Sequence, residues 1–164
     1  MKSVVIGAVV LMLTIAGFAR AQEIGPVTGF PLPRYVSMKT DESYIRRGPG
    51  MTQRIDWVFK HENQPLEVTA EYGNWRRVRD RDGVGGWIHY SLLSGVRTAI
   101  IERDMLDLLA RPDPQSSIVA RLELGVIGRL EECIGDWCRL STGGYSGWVP
   151  IKDLWGVRKG EILD

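Results

Sequence analysis

The sequence predicts an all-β protein of two small barrels in tandem behind an N-terminal signal peptide, and three observations predict it. The first residues carry a positive charge followed by an apolar run. The rest of the chain repeats itself at an offset of 61 to 63 residues. Each copy breaks into short stretches rich in Val, Ile and aromatic residues, punctuated by Gly, Pro, Asn and Asp. Composition narrows function at the same time. Of 164 residues, 21 are Lys or Arg and 20 are Asp or Glu; with residues 1–21 set aside, the remainder holds 19 basic and 20 acidic side chains, net −1. Neither disorder nor electrostatic capture of a nucleic acid fits such a chain.

Residues 1–21 read as an export signal. Lys2 supplies the positive start, Val4 to Phe18 is apolar except for Gly7, Thr14 and Gly17, and Ala19-Arg20-Ala21 offers small residues for cleavage after Ala21. An uncleaved anchor is the alternative, disfavoured because the run is shorter than the ~20 residues that span a bilayer. A lipid anchor would need a cysteine at the cleavage site, and the two cysteines are Cys133 and Cys138. The expected location is the periplasm or the medium, with no stable membrane insertion after cleavage. Residues 22–33, with two Gly and three Pro, read as a flexible leader, and residues 159–164 as a tail.

The repeat sets the domains. Gly73-Asn74-Trp75 recurs as Gly135-Asp136-Trp137, Gly86-Trp87-Ile88 as Gly147-Trp148-Val149, Pro49 as Pro112, and Leu93 and Gly95 as Leu154 and Gly156. Two units, 34–96 and 97–158, account for nearly all of the chain beyond the leader. Strands are expected at Tyr35 to Lys39, Ile55 to Phe59, Leu66 to Tyr72, Trp75 to Arg79 and Gly86 to His89 in the first unit. In the second they are expected at Thr98 to Glu102, Met105 to Leu109, Ile118 to Leu122, Val126 to Cys133, Trp137 to Leu140 and Gly147 to Pro150. Leu66 to Tyr72 alternates apolar and polar residues, and Gly73-Asn74 turns it into Trp75 to Arg79, a hairpin with a solvated arginine face. Single 3₁₀ turns fit Ser91-Leu92-Leu93 and Lys152-Asp153-Leu154. Units this short avoid exposed edges best by closing into a barrel.

Export decides how the cysteines read. Cys133 and Cys138 flank a Gly-Asp turn between β-like stretches, so they face each other across a hairpin and pair as a disulfide in an oxidising compartment. So short a loop contributes only about 2 kcal/mol. A zinc site lacks ligands, and a catalytic thiol lacks a histidine placed by the sequence.

The order of Ile45-Arg46-Arg47-Gly48-Pro49-Gly50, an apolar strand, Gly73-Asn74-Trp75, and Gly86-Trp87-Ile88 before a small-Leu-Leu turn resembles the bacterial SH3 (SH3b) domain family. The second unit resembles it through Gly135-Asp136-Trp137-Cys138-Arg139-Leu140 and Ser146-Gly147-Trp148-Val149-Pro150. The resemblance implies two SH3-like domains and a non-catalytic binding module of the cell envelope. Its ligand would be a peptidoglycan stem peptide or an extended segment of an envelope protein. The alternative is a structural protein whose units pack on each other or on a partner, with Ile118, Ile127 and Val149 as candidate contacts.

The residues imply no enzyme, metal or cofactor. The chain contains no H-E-x-x-H, G-x-S-x-G or Walker loop, and Gly83-Val84-Gly85-Gly86 precedes a strand, so it reads as a turn. Asp80 and Asp82 lie among arginines, and Glu131 and Glu132 point to opposite faces of a strand, so neither pair makes an acid/base couple. Trp75, Trp87, Trp137 and Trp148 recur at equivalent positions and are expected in the core. The candidate ligand-binding residues are those particular to the first unit: the aromatics Tyr44, Trp57, Tyr72 and Tyr90, with Arg46, Arg47, Arg76 and Arg77 nearby as forks for carboxylates. Leu108, Ala120 or Ile118, Leu130 to Glu132, and Ile151 are their expected counterparts. Residues 34–96 hold ten basic and eight acidic side chains, whereas 97–158 hold eight and nine, which favours the first unit as the binder.

Overall fold

The computed structural model describes residues 23–161 and 163, so the expected signal segment lies outside the described residues. Strands β1 (Glu23–Ile24) and β2 (Pro31–Leu32) form an N-terminal hairpin. The first unit follows as β3 (Arg34–Met38), β4 (Ser43–Arg46), β5 (Ile55–Phe59), β6 (Pro65–Tyr72), β7 (Trp75–Arg79) and β8 (Gly85–His89). A 3₁₀ turn (Tyr90–Leu92) leads into β9 (Leu93–Ser94). The second unit repeats the series as β10 (Thr98–Ile101), β11 (Leu106–Leu109), β12 (Ile118–Leu122), β13 (Ile127–Ile134), β14 (Trp137–Thr142) and β15 (Tyr145–Pro150). Its 3₁₀ turn (Ile151–Asp153) leads into β16 (Leu154–Trp155).

The two sheets share one topology. The order β5-β4-β8-β7-β6-β3-β9 in the first becomes β12-β11-β15-β14-β13-β10-β16 in the second, antiparallel throughout. The register slips at the same two places in each, at Ile45/Arg46 and Val68/Ala70, and at Leu108/Leu109 and Leu130/Glu132. An extra residue at such a bulge sharpens twist and bends a short sheet around its own core. Closure is where the expectation of barrels is corrected: among the described residues no ladder joins β5 to β9 or β12 to β16. The terminal strands β9 and β16 are two residues long, and each pairs on one side, with β3 and β10. Strand β4 is an addition to the expected strands: Ser43–Arg46 is extended and leads into the Gly48-Pro49 turn.

Each unit has its own core. Met38, Ile45, Leu66, Val68, Val78 and Ile88 fill the first; Ile101, Leu108, Leu140 and Val149 are among those filling the second. Val149 therefore packs within its unit and Ile118 is exposed, so neither joins the units. Polar and aromatic groups do so instead. Tyr35 meets the edge of Trp155 at 5.3 Å, Arg158 binds Glu67 at 2.6 Å, and the Thr98 hydroxyl donates to the Asn63 carbonyl at 2.7 Å.

The flexible leader also needs correcting, since residues 23–33 are folded. Leu32 enters the first core, and the rest of the hairpin answers a buried carboxylate. Glu71, on β6, has no exposed side-chain surface. Its Oε2 accepts the amides of Val27 and Thr28 at 3.0 and 2.9 Å, and its Oε1 accepts the Thr28 hydroxyl at 2.6 Å and Arg34 Nη2 at 2.8 Å. Gly25 lies so close that a Cβ there would stand 2.5 Å from the carboxylate. Burial pushes this carboxyl up, but the Thr28 and Val27 donors and Arg34 outweigh it and hold it at about 2.

Its proton is therefore linked to unfolding. A carboxyl at about 2 when folded, against 4.5 in the free chain, contributes stability that is complete above pH 4.5 and is lost as pH falls toward 2. Glu71→Gln should lower stability by about 2 to 3 kcal/mol at neutral pH and by much less near pH 2.5, as read by urea unfolding at both values.

Candidate functional site

Strand register assembles a solvent-facing row on the first unit. Arg46 on β4 pairs with Ile55 on one side and Trp87 on the other, and Trp87 pairs with Arg77, which pairs with Ala70. Residues opposite one another in a sheet share a face, so Arg46, Trp87 and Arg77 stand side by side. The row is tightly seated because residue 86 is glycine: a Cβ there would stand 2.5 Å from the Arg46 carbonyl oxygen, so β8 approaches β4 more closely than a side chain permits.

These side chains line a cleft of about 700 Å³ with Arg47, Arg79, Asp56 and Thr69. Asp56 accepts from Arg54 at 2.7 Å and from Arg47 at 3.2 Å, and those hydrogen bonds hold it below the usual carboxylate range against a weaker push from burial. Arg79 is bound to Glu67, and Arg46 donates to the Gln53 carbonyl at 2.8 Å. Neither Arg46 nor Arg77 has a carboxylate within 4.0 Å among the described residues. The cleft thus combines an aromatic plane with two guanidinium groups whose charge is not internally matched.

A second cluster lies at the end of the same face. Tyr72 pairs with Trp75, and Trp75 with His89. The Trp75 and His89 rings meet edge-on at 5.5 Å and His89 tilts against Tyr90 at 5.0 Å.

Comparison with known proteins places this geometry. The bacterial SH3 domain family matches residues 39–95 and again residues 102–156. The chain belongs to that family. The solved structures of NlpC2 and NlpC1 from Trichomonas vaginalis are similar to it at 12% and 13% identity, with TM-scores of 0.34 and 0.35. They match 74% and 87% of this chain, which spans 48% and 50% of theirs. No curated protein matches. Two bacterial SH3 units and an intramolecular disulfide, Cys133–Cys138, point to an extracytoplasmic protein. No helix among the described residues is long and apolar enough to cross a membrane.

Within these bacterial SH3 units the expected site residues scatter. Arg46 and Arg47 line the cleft. Tyr44 is 48% exposed, on the Arg46 side of β4. Trp57, 51% exposed, pairs with the buried Ile45 and so shares the opposite face, away from Tyr44. Tyr72 and Tyr90 belong to the distal cluster. Arg76 corrects the arginine face: it is 7% exposed, donates to the carbonyls of Gly73 and Trp75 at 2.8 and 2.9 Å, and lies 3.6 Å from Glu71, so it has no fork to offer a ligand. Arg77, Trp87, Arg79, Asp56 and Thr69 also line the cleft, and of these Trp87, Arg79, Asp56 and Thr69 stood outside the candidates. Alternation carried the signal, because an inward Val78 on β7 turns Arg76 inward and Trp75, Arg77 and Arg79 outward.

The repeated tryptophans are corrected as well. Trp148 is buried, but Trp75, Trp87 and Trp137 are half-buried on the outer face. In the second unit the row reads Ile118, Leu109, Trp148, Arg139 and Glu132. Leu109 takes the place of Arg46, and Arg139 is matched by Glu131 at 3.1 Å and Glu132 at 3.9 Å. Register also moves the counterparts of two tyrosines: Tyr44 corresponds to Asp107 and Tyr72 to Ile134.

The two arginines next to each other on β7 should therefore behave differently. Arg76→Ala is expected to cost about 3 kcal/mol by leaving Glu71 short of a partner, whereas Arg77→Ala should change stability by less than about 0.5 kcal/mol. Thermal unfolding of the two variants side by side checks this.

Proposed function

We propose that this protein is a non-catalytic binding module of the cell envelope whose first unit grips a carboxylate-bearing peptide. The ligand is a peptidoglycan stem peptide or an extended segment of an envelope protein, and the periplasm is the compartment that fits it. What carries the reading is the Arg46-Trp87-Arg77 row. Two guanidinium groups without internal carboxylates flank an aromatic plane, which suits a chain offering carboxylates and an apolar side chain between them. The second unit, on the same backbone, has a leucine at one of these positions and two glutamates around the other arginine. That contrast supports a role for the row beyond folding, because the fold is kept without it.

The purely structural alternative draws on the contacts between units, Tyr35 with Trp155 and Arg158 with Glu67. They leave the cleft open, which favours binding. An enzyme reading finds little support in the cleft, where Asp56 is held ionised by two arginines and the Thr69 hydroxyl donates to the Arg77 carbonyl at 3.3 Å.

Co-sedimentation with purified sacculi tests the wall version. The protein should pellet, Arg77→Ala and Arg46→Ala should each weaken that by about tenfold, equivalent to ~1.4 kcal/mol, and Arg139→Ala should change little. Wild-type protein that stays in the supernatant at low salt would remove the wall ligand and leave the protein segment. Turnover of muropeptides by metal-free protein would end the non-catalytic reading.

A further inference from the structure

The hairpin of β4 and β5 in the first unit carries apolar surface that neither the core nor the cleft uses. Tyr44, Ile55, Trp57 and Val58 are exposed, and Met51, at 71%, is the most exposed large apolar side chain among the described residues. Topology explains why they stay uncovered. β5 ends its sheet and pairs with β4 alone, so its side chains have a neighbouring strand on one flank only. Trp57 lies opposite the buried Ile45 yet overhangs the core, whereas Tyr44 and Val58, opposite each other, stand on the other face. Met51 sits in the turn between the strands, which closes where the Arg47 amide donates to the Arg54 carbonyl at 2.9 Å.

The fold does not require this surface. At the same register the second unit has Asp107 for Tyr44, Ala120 for Trp57 and Arg121 for Val58, and only Ile55 keeps an apolar counterpart, Ile118.

Charge and shape together say what covers it. Ser43–Phe59 holds three arginines and one aspartate, net +2, against two and two in Leu106–Leu122. Asp56 serves Arg47 and Arg54 at once, so positive charge is left over toward the turn. Acids gather at the opposite end: Lys39, Asp41, Glu42, Lys60 and Glu62 flank the base, net −1, with Lys60 3.9 Å from Glu42. The hairpin is thus graded, positive and apolar at its turn and acidic where it joins the unit, which suits an approach turn-first to an anionic surface. Apolar side chains on both faces and at the turn are covered together by a medium that surrounds the hairpin, whereas a partner with one flat docking face reaches one side. Indole and phenol rings beside arginine fit the headgroup level of a bilayer, where the ring is buried and the polar atoms stay wet. Cationic side chains gain there when the lipids are anionic.

We infer that the β4–β5 hairpin docks the protein on an anionic phospholipid surface, setting Met51, Ile55 and Trp57 among the upper acyl chains and Arg54 against the phosphates. Contact of this kind is peripheral and reversible. The site is separate from the carboxylate cleft, whose Arg77 it does not use.

Vesicle flotation tests it with protein spanning residues 22–164, which keeps every described residue and lacks the apolar N-terminal segment. The protein should float with vesicles of phosphatidylethanolamine and phosphatidylglycerol and stay behind with phosphatidylcholine alone. Brominated acyl chains should quench part of the tryptophan emission, and Trp57→Phe should abolish that part. Met51→Asp, at an exposed turn position, should keep the parent's thermal midpoint and bind vesicles about tenfold more weakly. Arg54→Ala should lose several-fold, and Arg77→Ala should match the parent. No flotation with anionic vesicles would overturn the proposal, as would flotation indifferent to Met51→Asp with quenching that survives Trp57→Phe. Self-association without lipid that Met51→Asp abolishes would overturn it too, assigning the hairpin to a second copy. Loss of flotation with Arg77→Ala would place the lipid in the cleft instead. Failure to pellet with sacculi leaves every arm of this experiment standing.

Discussion

A carboxylate sealed from solvent has to be surrounded by donors, and in this chain that requirement organises the first unit. Glu71 points inward from β6, and its demand is met from three directions: Val27 and Thr28 of the N-terminal hairpin, Arg34 of β3, and Arg76 across the ladder. The hairpin is folded because it supplies amides that no sheet partner could supply at that spot. Arg76 is turned inward to the same end, and a strand that turns one residue inward turns the next one outward. The exposure of Arg77 in the cleft thus follows from the burial of Arg76 beside the acid.

The second unit meets the same structural need with different chemistry. Glu71 and Arg76 pair across β6 and β7, and Cys133 and Cys138 pair at the matching position across β13 and β14, with Cα atoms 4.0 Å apart. Both pairs fasten a hairpin just before its Gly-x-Trp turn. The covalent version needs no donors from outside the unit. The ionic version does, because a buried pair without further hydrogen bonds costs more than it returns. The second unit can therefore hold its hairpin without a preceding segment folded over it, whereas the first needs residues 25–34 in place.

Local signals and distant partners separate what could be read in the sequence from what could not. The duplication, the Gly-x-Trp turns, the disulfide and most strands follow from spacing and turn chemistry within a few residues, and they were legible. The face of each strand was legible only in part. The two apolar residues of β7 lie on opposite faces, Trp75 outward and Val78 inward, so the strand carries no single apolar stripe to show that Arg76 turns inward and Arg77 outward. Tyr44 and Trp57 face opposite ways because Tyr44 pairs with Val58 and Trp57 with the buried Ile45, a register between two strands that neither strand's own pattern announces. The leader was opaque for another reason. Its Gly and Pro content describes a mobile segment well until Glu71, more than forty residues away, provides the acceptor it folds onto.

Packing explains which positions the two copies share and which they do not. The inward residues, the bulges and the close-approach glycines Gly86 and Gly147 are held by packing, since a Cβ at either would press into the carbonyl of the neighbouring strand. The outer row has no such constraint. Leu109 stands where the first unit has Arg46, Asp107 where it has Tyr44, and Glu132 where it has Ala70, with the same ladders in both. Glutamates neutralise Arg139 in the second unit, whereas Arg46 and Arg77 have no carboxylate within 4.0 Å among the described residues of the first. The two copies thus present unlike outer rows on one topology, and the Tyr35 to Trp155 contact and the Arg158 to Glu67 bridge connect them.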